Sequence, residues 1–296
     1  MKILLTGGSG FLGSCFLELL LKNNQIYTLA RSNSDYICNL EFEVPKFNQN
    51  FDLIIHSAGK AHSIPKKEIQ GLEFYRINVL GTINLLEGLE KNNLPKHFVF
   101  ISSVSVYGLV HGENIKETTP LLAKDPYGKS KIDAELIIQE WCEKNNVIYT
   151  ILRLPLIVGK NPPGNLGAMI RGIKRGFYFN IAGGNSKKSM VLSEDIVFFI
   201  FKAAEVGGIY NLTDGIHPSF KELSKCISNK IGKSFVPNIP LFLAIILASI
   251  GDVLGNNFPI NSTKLSKIIS TLTFDDTKAR IEFGWNPRSV LESLNL

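Results

Sequence analysis

Cysteine, long apolar runs and clustered basic charge are all scarce in this chain. Its four cysteines, Cys15, Cys38, Cys142 and Cys226, are scattered through 296 residues. They lack the close pairs of a zinc site and the density of a disulfide-stapled secreted domain, and read as reduced bystanders. No stretch reaches the roughly 20 apolar residues that span a bilayer. The apolar start, Ile3 to Leu5, runs into Gly7, Gly8, Ser9 and Gly10 rather than into a secretory leader, so a cytoplasmic location is expected. The net charge of +6 is spread along the sequence, with no basic run interleaved with aromatics. A nucleic-acid surface is therefore not expected, whereas the basic balance suits an anionic small molecule. His56 and His62 have no carboxylate or cysteine companions at ligand spacing, and no metal is expected.

The N-terminus carries the most informative pattern. Ile3, Leu4 and Leu5 read as a buried strand that enters glycines at 7, 10 and 13, and then Phe16, Leu19 and Leu20 follow at helical spacing. In such a turn the first glycine permits the tight bend, the second lets backbone approach a pyrophosphate, and the third lets helix and strand pack closely. The anion rests on free N–H groups at the helix N-terminus.

With 45% hydrophobic residues, the chain can bury a large core, divided into two lobes. Strand-like segments at Ile26 to Leu29, Leu53 to His56, His97 to Ile101 and Ile148 to Leu152 alternate with helical ones such as Leu72 to Lys91. This alternation builds a doubly wound parallel sheet of the α/β class. Gly159, Pro162, Pro163, Gly164 and Gly167 then break the regularity, which sets a lobe boundary near residue 160. Gly208 to Leu212 is strand-like and is expected to return to the sheet.

Strand His97 to Ile101 leads into a segment ending at Tyr107 and Gly108, and Tyr127 and Lys131 follow. Four residues apart on a helix, these two side chains share a face. A lysine ammonium near a phenol stabilises the phenolate and is expected to lower its pKa. Tyrosine and lysine at this spacing arise readily by chance, so it is the placement after the strand that informs.

These motifs resemble the extended short-chain dehydrogenase/reductases, in particular the NAD-dependent epimerase/dehydratase branch that acts on nucleotide sugars. Thr6 to Gly13 is similar to the family's cofactor turn, Asp52 to Gly59 to its fourth-strand signature, and Asn78 to Leu86 to its asparagine helix. Ser102 to Gly108 resembles the segment with the catalytic hydroxyl, and Asp276 to Arg280 with Phe283 to Pro287 resembles the C-terminal motif. The resemblance implies a Rossmann domain over 1–160 and a smaller, mainly substrate-binding lobe over 161–296. It also implies that Tyr127 is the acid/base, that Lys131 orients the nicotinamide ribose, and that Ser103 hydrogen-bonds the substrate oxygen. Ser103 is preferred to Ser102 because it stands three residues before Val106-Tyr107-Gly108. The implied cofactor contacts are Gly7, Gly10, Phe11, Leu12, Gly13, Arg31, Ser32, Ser57, Ala58, Gly59, Asn78, Tyr127, Lys131 and Pro155. Those to substrate are Ser103, Ser105, Asn165 and Lys188. Many relatives are dimers, for which Leu72 to Lys91 and Lys131 to Asn145 would serve.

Two departures narrow the expectation. The branch's dehydratases follow the catalytic hydroxyl with an Asp-Glu pair, but here Val104 and Ser105 stand there, which disfavours water elimination and leaves a 4-epimerase or a 4-ketoreductase. After the second strand, where an NAD enzyme places a carboxylate, stands Ala30-Arg31-Ser32. A guanidinium suits a 2′-phosphate, so NADP(H) is favoured over NAD(H), although an arginine stacked on adenine in an NAD site is the competing reading. NADPH and the resemblance of Leu152 to Gly159 and Gly164 to Met169 to reductases of UDP-4-keto-6-deoxy-N-acetylhexosamines favour the ketoreductase, in surface-polysaccharide synthesis. A non-catalytic NAD(P)-binding regulatory protein is the alternative of another class. Lys188 is either a diphosphate contact or half of a solvated Lys187-Lys188 pair. Pro240 to Ile250, the most apolar stretch, reads as a packed lid or lobe helix. The alternative is a patch that docks on a membrane or a partner glycosyltransferase, which burial of Phe242, Ile245 and Ile246 against the substrate lobe would remove.

Overall fold

The computed structural model describes residues 1–21, 24–61, 68–233, 235–255 and 260–294; His62 lies outside them. Seven strands form one parallel sheet: β1 (Lys2–Thr6), β2 (Gln25–Ala30), β3 (Tyr36–Ile37), β4 (Leu53–His56), β5 (His97–Ser103), β6 (Ile148–Leu154) and β7 (Gly208–Asn211). Their spatial order is 7-6-5-4-1-2-3. The chain winds outward in one direction from β1 to β3 and in the other from β4 to β7. The carboxyl ends of β1 and β4 therefore flank a topological switch point, where open α/β sheets bind ligands.

Buried on both faces, the inner strands read as apolar runs rather than alternating patterns. Ile3, Leu5, Ile55, Val99 and Leu152 point to one face and pack on α1 (Phe11–Leu20) through Leu12 and Phe16. Leu4, Ile54, Phe98, Phe100 and Ile151 point to the other. There they meet Leu85, Leu86 and Leu89 of the Leu72 to Lys91 stretch and Ala134, Ile138 and Trp141 of the helix that carries Tyr127. That stretch is not one regular helix: it is α2 (Glu68–Tyr75), a π turn over Arg76–Leu80, and α3 (Gly81–Glu90). The helix of Tyr127 is α4 (Pro126–Asn145).

A separate apolar cluster builds on α5 (Gly164–Arg175) and on the short strand pair Leu156–Val158 with Met190–Leu192. The chain then rejoins the sheet: α6 (Ser193–Val206) packs Ile196, Val197 and Ile200 on the face of α1. Ala279, Phe283 and Trp285, far along the chain, complete that same core, and the Trp285 indole donates to the Thr213 carbonyl at 2.9 Å. The sheet thus draws elements from both sides of residue 160.

Beyond α7 (Phe220–Lys230) lie α8 (Leu241–Leu254) and α9 (Ser262–Ile269). The expectation of a packed lid at Pro240 to Ile250 does not hold. Only Ala244, Ala248 and Gly251 of α8 are buried, whereas Phe242 is 63% and Ile246 53% exposed. Three small residues on one face let α8 sit closely on Leu265 of α9, and its large apolar side chains lie elsewhere on its circumference.

Candidate active site

The turn after β1 holds its shape through glycine. Gly7 adopts φ +74°, and a Cβ there would stand 2.6 Å from the Ala58 nitrogen, so the turn and the 57–59 loop after β4 approach as only glycine permits. A Cβ on Gly13 would overlap the Gly7 carbonyl. Gly10 is exposed and opens α1 with no side-chain cap, so no side chain occupies the first N–H groups of the helix. Phe11 stands half-buried beside Gly159, and Leu12 is in the core.

At the end of β5, strand alternation separates two adjacent hydroxyls. Ser102 is buried and donates to Glu135 of α4, which commits it to the interior. Ser103 is half-buried; its hydroxyl accepts from the Ser105 amide at 3.2 Å and lies 3.1 Å from the Ser105 hydroxyl, capping the 3₁₀ turn Val104–Tyr107. Asp125 and Pro126 start α4, the Asp125 carboxylate accepting from the Gly128 amide at 3.0 Å. This places Tyr127 on the first turn of α4, with Ser103 near enough to its phenol to influence its pKa. One turn on, the buried Lys131 ammonium donates to the Ile101 carbonyl at 2.8 Å and lies 4.5 Å from the centre of the Phe100 ring. Burial pulls its pKa down to about 8 against the opposing pull of Glu135. The phenol departs from expectation: burial raises the pKa of Tyr127, Ser103 opposes this and Asp125 adds to it, with no contribution resolved from Lys131. At neutral pH it is a protonated phenol.

Asn78, at the centre of the π turn, is buried. Its Oδ1 accepts from the Lys60 amide at 2.6 Å, and its Nδ2 donates to the Lys60 carbonyl at 3.1 Å and to the Ser130 hydroxyl at 2.8 Å. It therefore ties the 57–60 loop to α4. Gly59 passes between: a Cβ there would stand 3.1 Å from Asn78 Oδ1 and 3.5 Å from Lys131 Nζ. The extra residue of a π turn, which redirects side chains and often marks functional sites, is invisible in apolar spacing.

Sequence reading also missed two buried polar sets. His56 Nδ1 lies 2.7 Å from the Thr6 hydroxyl and Nε2 3.0 Å from that of Thr82. Thr82 donates to the Asn78 carbonyl and Thr6 accepts from the Ala58 amide. The Thr82 direction places a proton on Nε2 of His56, and the Thr6 hydroxyl can donate to Nδ1 of the neutral ring. Burial, with a smaller push from Lys131, lowers its pKa to about 3. Glu135, besides accepting from Ser102, forms a buried pair with Arg153 at 2.7 Å. Arg153 donates onward to the Tyr107 hydroxyl at 3.1 Å, and that hydroxyl donates to Asn211 at 2.8 Å. The Asp-Leu-Ile-Ile-His segment and the i, i+4 relation of Lys131 to Glu135 were the available signals.

The remaining candidates lie further out. Arg31 and Ser32 are exposed at the tip of the loop after β2, and the only carboxylate in that loop, Asp35, is turned back onto the Thr28 amide and hydroxyl at 2.7 and 2.8 Å. Ser57 and Pro155 are half-buried at the ends of β4 and β6. Asn165 is exposed in the first turn of α5. Lys187 is exposed whereas Lys188 is partly buried, and burial followed by the nearby Lys267 lowers the Lys188 pKa to about 8.

The model of the NAD dependent epimerase/dehydratase family matches residues 3–213. The chain belongs to that family. It is 28% identical to the N-acetyl-alpha-D-glucosaminyl-diphospho-ditrans,octacis-undecaprenol 4-epimerase of Escherichia coli O157:H7, over 99% of this chain and 93% of that one. In fold it resembles the UDP-glucose 4-epimerase of Thermotoga maritima (TM-score 0.76, 22% identity, 99% and 96% covered). It also resembles RMD from Pseudomonas aeruginosa complexed with NADPH (TM-score 0.72, 20% identity, 98% and 95% covered). The glycine turn fits the family's dinucleotide cofactor, because side chains at Gly7 or Gly13 would occupy the close approaches that shape it.

Proposed function

We propose that this protein uses NADPH to reduce the 4-keto group of a UDP-linked 4-keto-6-deoxy-N-acetylhexosamine for surface-polysaccharide synthesis. The observation that carries the reading is the loop after β2, which offers the Arg31 guanidinium and no uncommitted carboxylate to the adenosine ribose. Gly7, Gly10, Phe11, Leu12 and Gly13 would hold the pyrophosphate, Arg31 and Ser32 the 2′-phosphate, and Ser57 to Gly59, Asn78, Lys131 and Pro155 the nicotinamide half. Once bound, the nicotinamide supplies the two-electron exchange.

The protein's own residues manage the proton. Reduction of a ketone develops negative charge on oxygen. The Ser103 hydroxyl donates to that oxygen, with Ser105 beside it, and the Tyr127 phenol delivers the proton. The protonated phenol, its pKa raised by burial, can act as the acid of a reduction. Lys131 orients the nicotinamide ribose, and solvent restores the proton afterwards. Asn165 and Lys188 contact the diphosphate. Pairing of two copies through α2, α3 and α4, where Leu72, Tyr75, Ile83 and Leu136 face outward, completes the reading.

A second reading, 4-epimerisation with retained NAD, is supported by the activity named for the Escherichia coli relative. One assay separates the two: mix the protein with NADPH and enzymatically prepared UDP-4-keto-6-deoxy-N-acetylglucosamine and follow nicotinamide absorbance. Loss of the NADPH signal is expected. No loss, together with NAD+ released on denaturation and interconversion of UDP-N-acetylhexosamines at carbon 4, would overturn the reductase reading.

A further inference from the structure

The least ordinary surface of the molecule lies far along the chain from the catalytic residues. On α8, Ala244, Ala248 and Gly251 form the buried face, and Phe242, Ile246, Ile250 and Val253 follow one another at helical spacing on the opposite side. Val253 is 86% exposed. Leu241, Leu243, Ile245, Leu247 and Leu254 are exposed as well, so the apolar surface wraps most of the helix. Asp252 is its only charged residue, and that carboxylate is spent on Ser262 at the start of α9. Phe179 and Phe235, which flank the strand pair Asn180–Ile181 with Asn238–Ile239 that leads into α8, are exposed too.

The segments before and after α8 carry charge mostly of one sign. From α7 to α9 the chain carries Lys221, Lys225, Lys230, Lys233, Lys264 and Lys267, with only Glu222 and Asp252 opposed. Both carboxylates are already engaged at helix starts, Glu222 in a capping box with Ser219. An apolar helix whose flanking segments carry the exposed Lys225, Lys230, Lys233 and Lys267 matches the chemistry of an anionic bilayer, in which hydrocarbon accepts the side chains and the headgroups attract lysine. A 14-residue helix is roughly 21 Å long, too short to cross a hydrocarbon core of about 30 Å, but suited to lie in the interface.

We propose that α8, with Phe179 and Phe235, docks this protein on an anionic membrane surface. The lobe that touches the bilayer is also the one that carries Lys188 and Asn165, so a diphosphate-linked sugar held there would be handled next to the membrane. Docking is independent of whether the catalytic site reduces or epimerises.

Flotation of the whole protein with vesicles tests it. With vesicles of equal parts phosphatidylcholine and phosphatidylglycerol the protein is expected to float, and with phosphatidylcholine alone or at high salt to float less. A Phe242→Ser, Ile246→Ser, Val253→Ser variant replaces only outward side chains; it is expected to lose vesicle binding at least about tenfold while its soluble NADPH oxidation and thermal melting stay unchanged. Lys230→Glu with Lys233→Glu should remove the preference for phosphatidylglycerol. Absence of flotation by the unaltered protein, or equal flotation of the triple variant, would overturn the proposal. So would a dimer in solution that the triple variant disperses without any vesicle binding, because α8 would then face a second copy. The soluble assay requires no vesicles, so a failure of docking and a failure of the proposed reaction read out separately.

Discussion

The carboxyl ends of β1 and β4 and the surface of α8 invert the ordinary distribution of polarity in opposite directions. In the first, His56, Thr6, Thr82 and Asn78 are all at most 2% exposed, and each meets a hydrogen-bonding partner. In the second, large aliphatic and aromatic side chains stand in water around a helix whose own buried face is made of two alanines and a glycine. Buried polar groups persist only when they are satisfied, and the interior set is therefore rigid and self-contained. Exposed apolar groups in a contiguous patch mark a contact with something else. One region is finished by folding, and the other is finished by a surface outside the chain.

That contrast can be broken at several points, beginning with the largest effect. Tyr127→Phe removes the transferable proton and leaves the ring's 5.9 Å contact with Phe74 intact. Turnover should fall by roughly 10²- to 10⁴-fold with NADPH affinity, measured by fluorescence titration, unchanged. Arg31→Ala should weaken NADPH by roughly 10- to 100-fold and spare NADH in the same titration; equal losses for both would assign the guanidinium to adenine stacking instead. The two serines at the end of β5 sharpen the distinction between reacting and supporting groups. Ser103→Ala should lower turnover, with a stability loss of about 1 kcal/mol from the missing cap on the Ser105 amide. Ser102→Ala, which deprives the buried Glu135 of a donor, should cost about 1–3 kcal/mol of stability with turnover retained.

The last effect is one of pH and concerns His56. Its folded pKa near 3 lies below the usual 6.5, so the unfolded chain binds the extra proton. Its contribution is present in full above pH 6.5 and is lost as pH falls toward 3. At about pH 5 the loss is about 2 kcal/mol, from 1.36 kcal/mol per pH unit. A His56→Asn variant should show a flatter dependence of unfolding free energy on pH across that range, measured by urea denaturation.

Much of this was legible in the residues. The spacing of Gly7, Gly10 and Gly13 carried the turn because only glycine tolerates those approaches, and Val106-Tyr107-Gly108 separated Ser103 from Ser102, which the pleat then sends to opposite sides. What stayed hidden depends on long-range geometry. Leu72 to Lys91 is periodic enough to suggest one helix, and its apolar spacing cannot announce a π turn at Asn78. Glu135 and Arg153 lie 18 residues apart and meet only once β6 pairs with β5. The misreading of α8 has a simple cause: hydropathy records that Phe242 and Ile246 avoid water and is silent on whether the chain itself supplies the cover.

The most direct test of the proposed chemistry follows the transferred hydrogen. NADPH deuterated at the nicotinamide C4 would be incubated with the UDP-linked 4-keto sugar, and the product examined by mass spectrometry and proton NMR. Deuterium at sugar carbon 4, with loss of the label in the Tyr127→Phe variant, is the expected result. A product free of deuterium, with carbon 4 inverted and NAD+ still held by the protein, would contradict it.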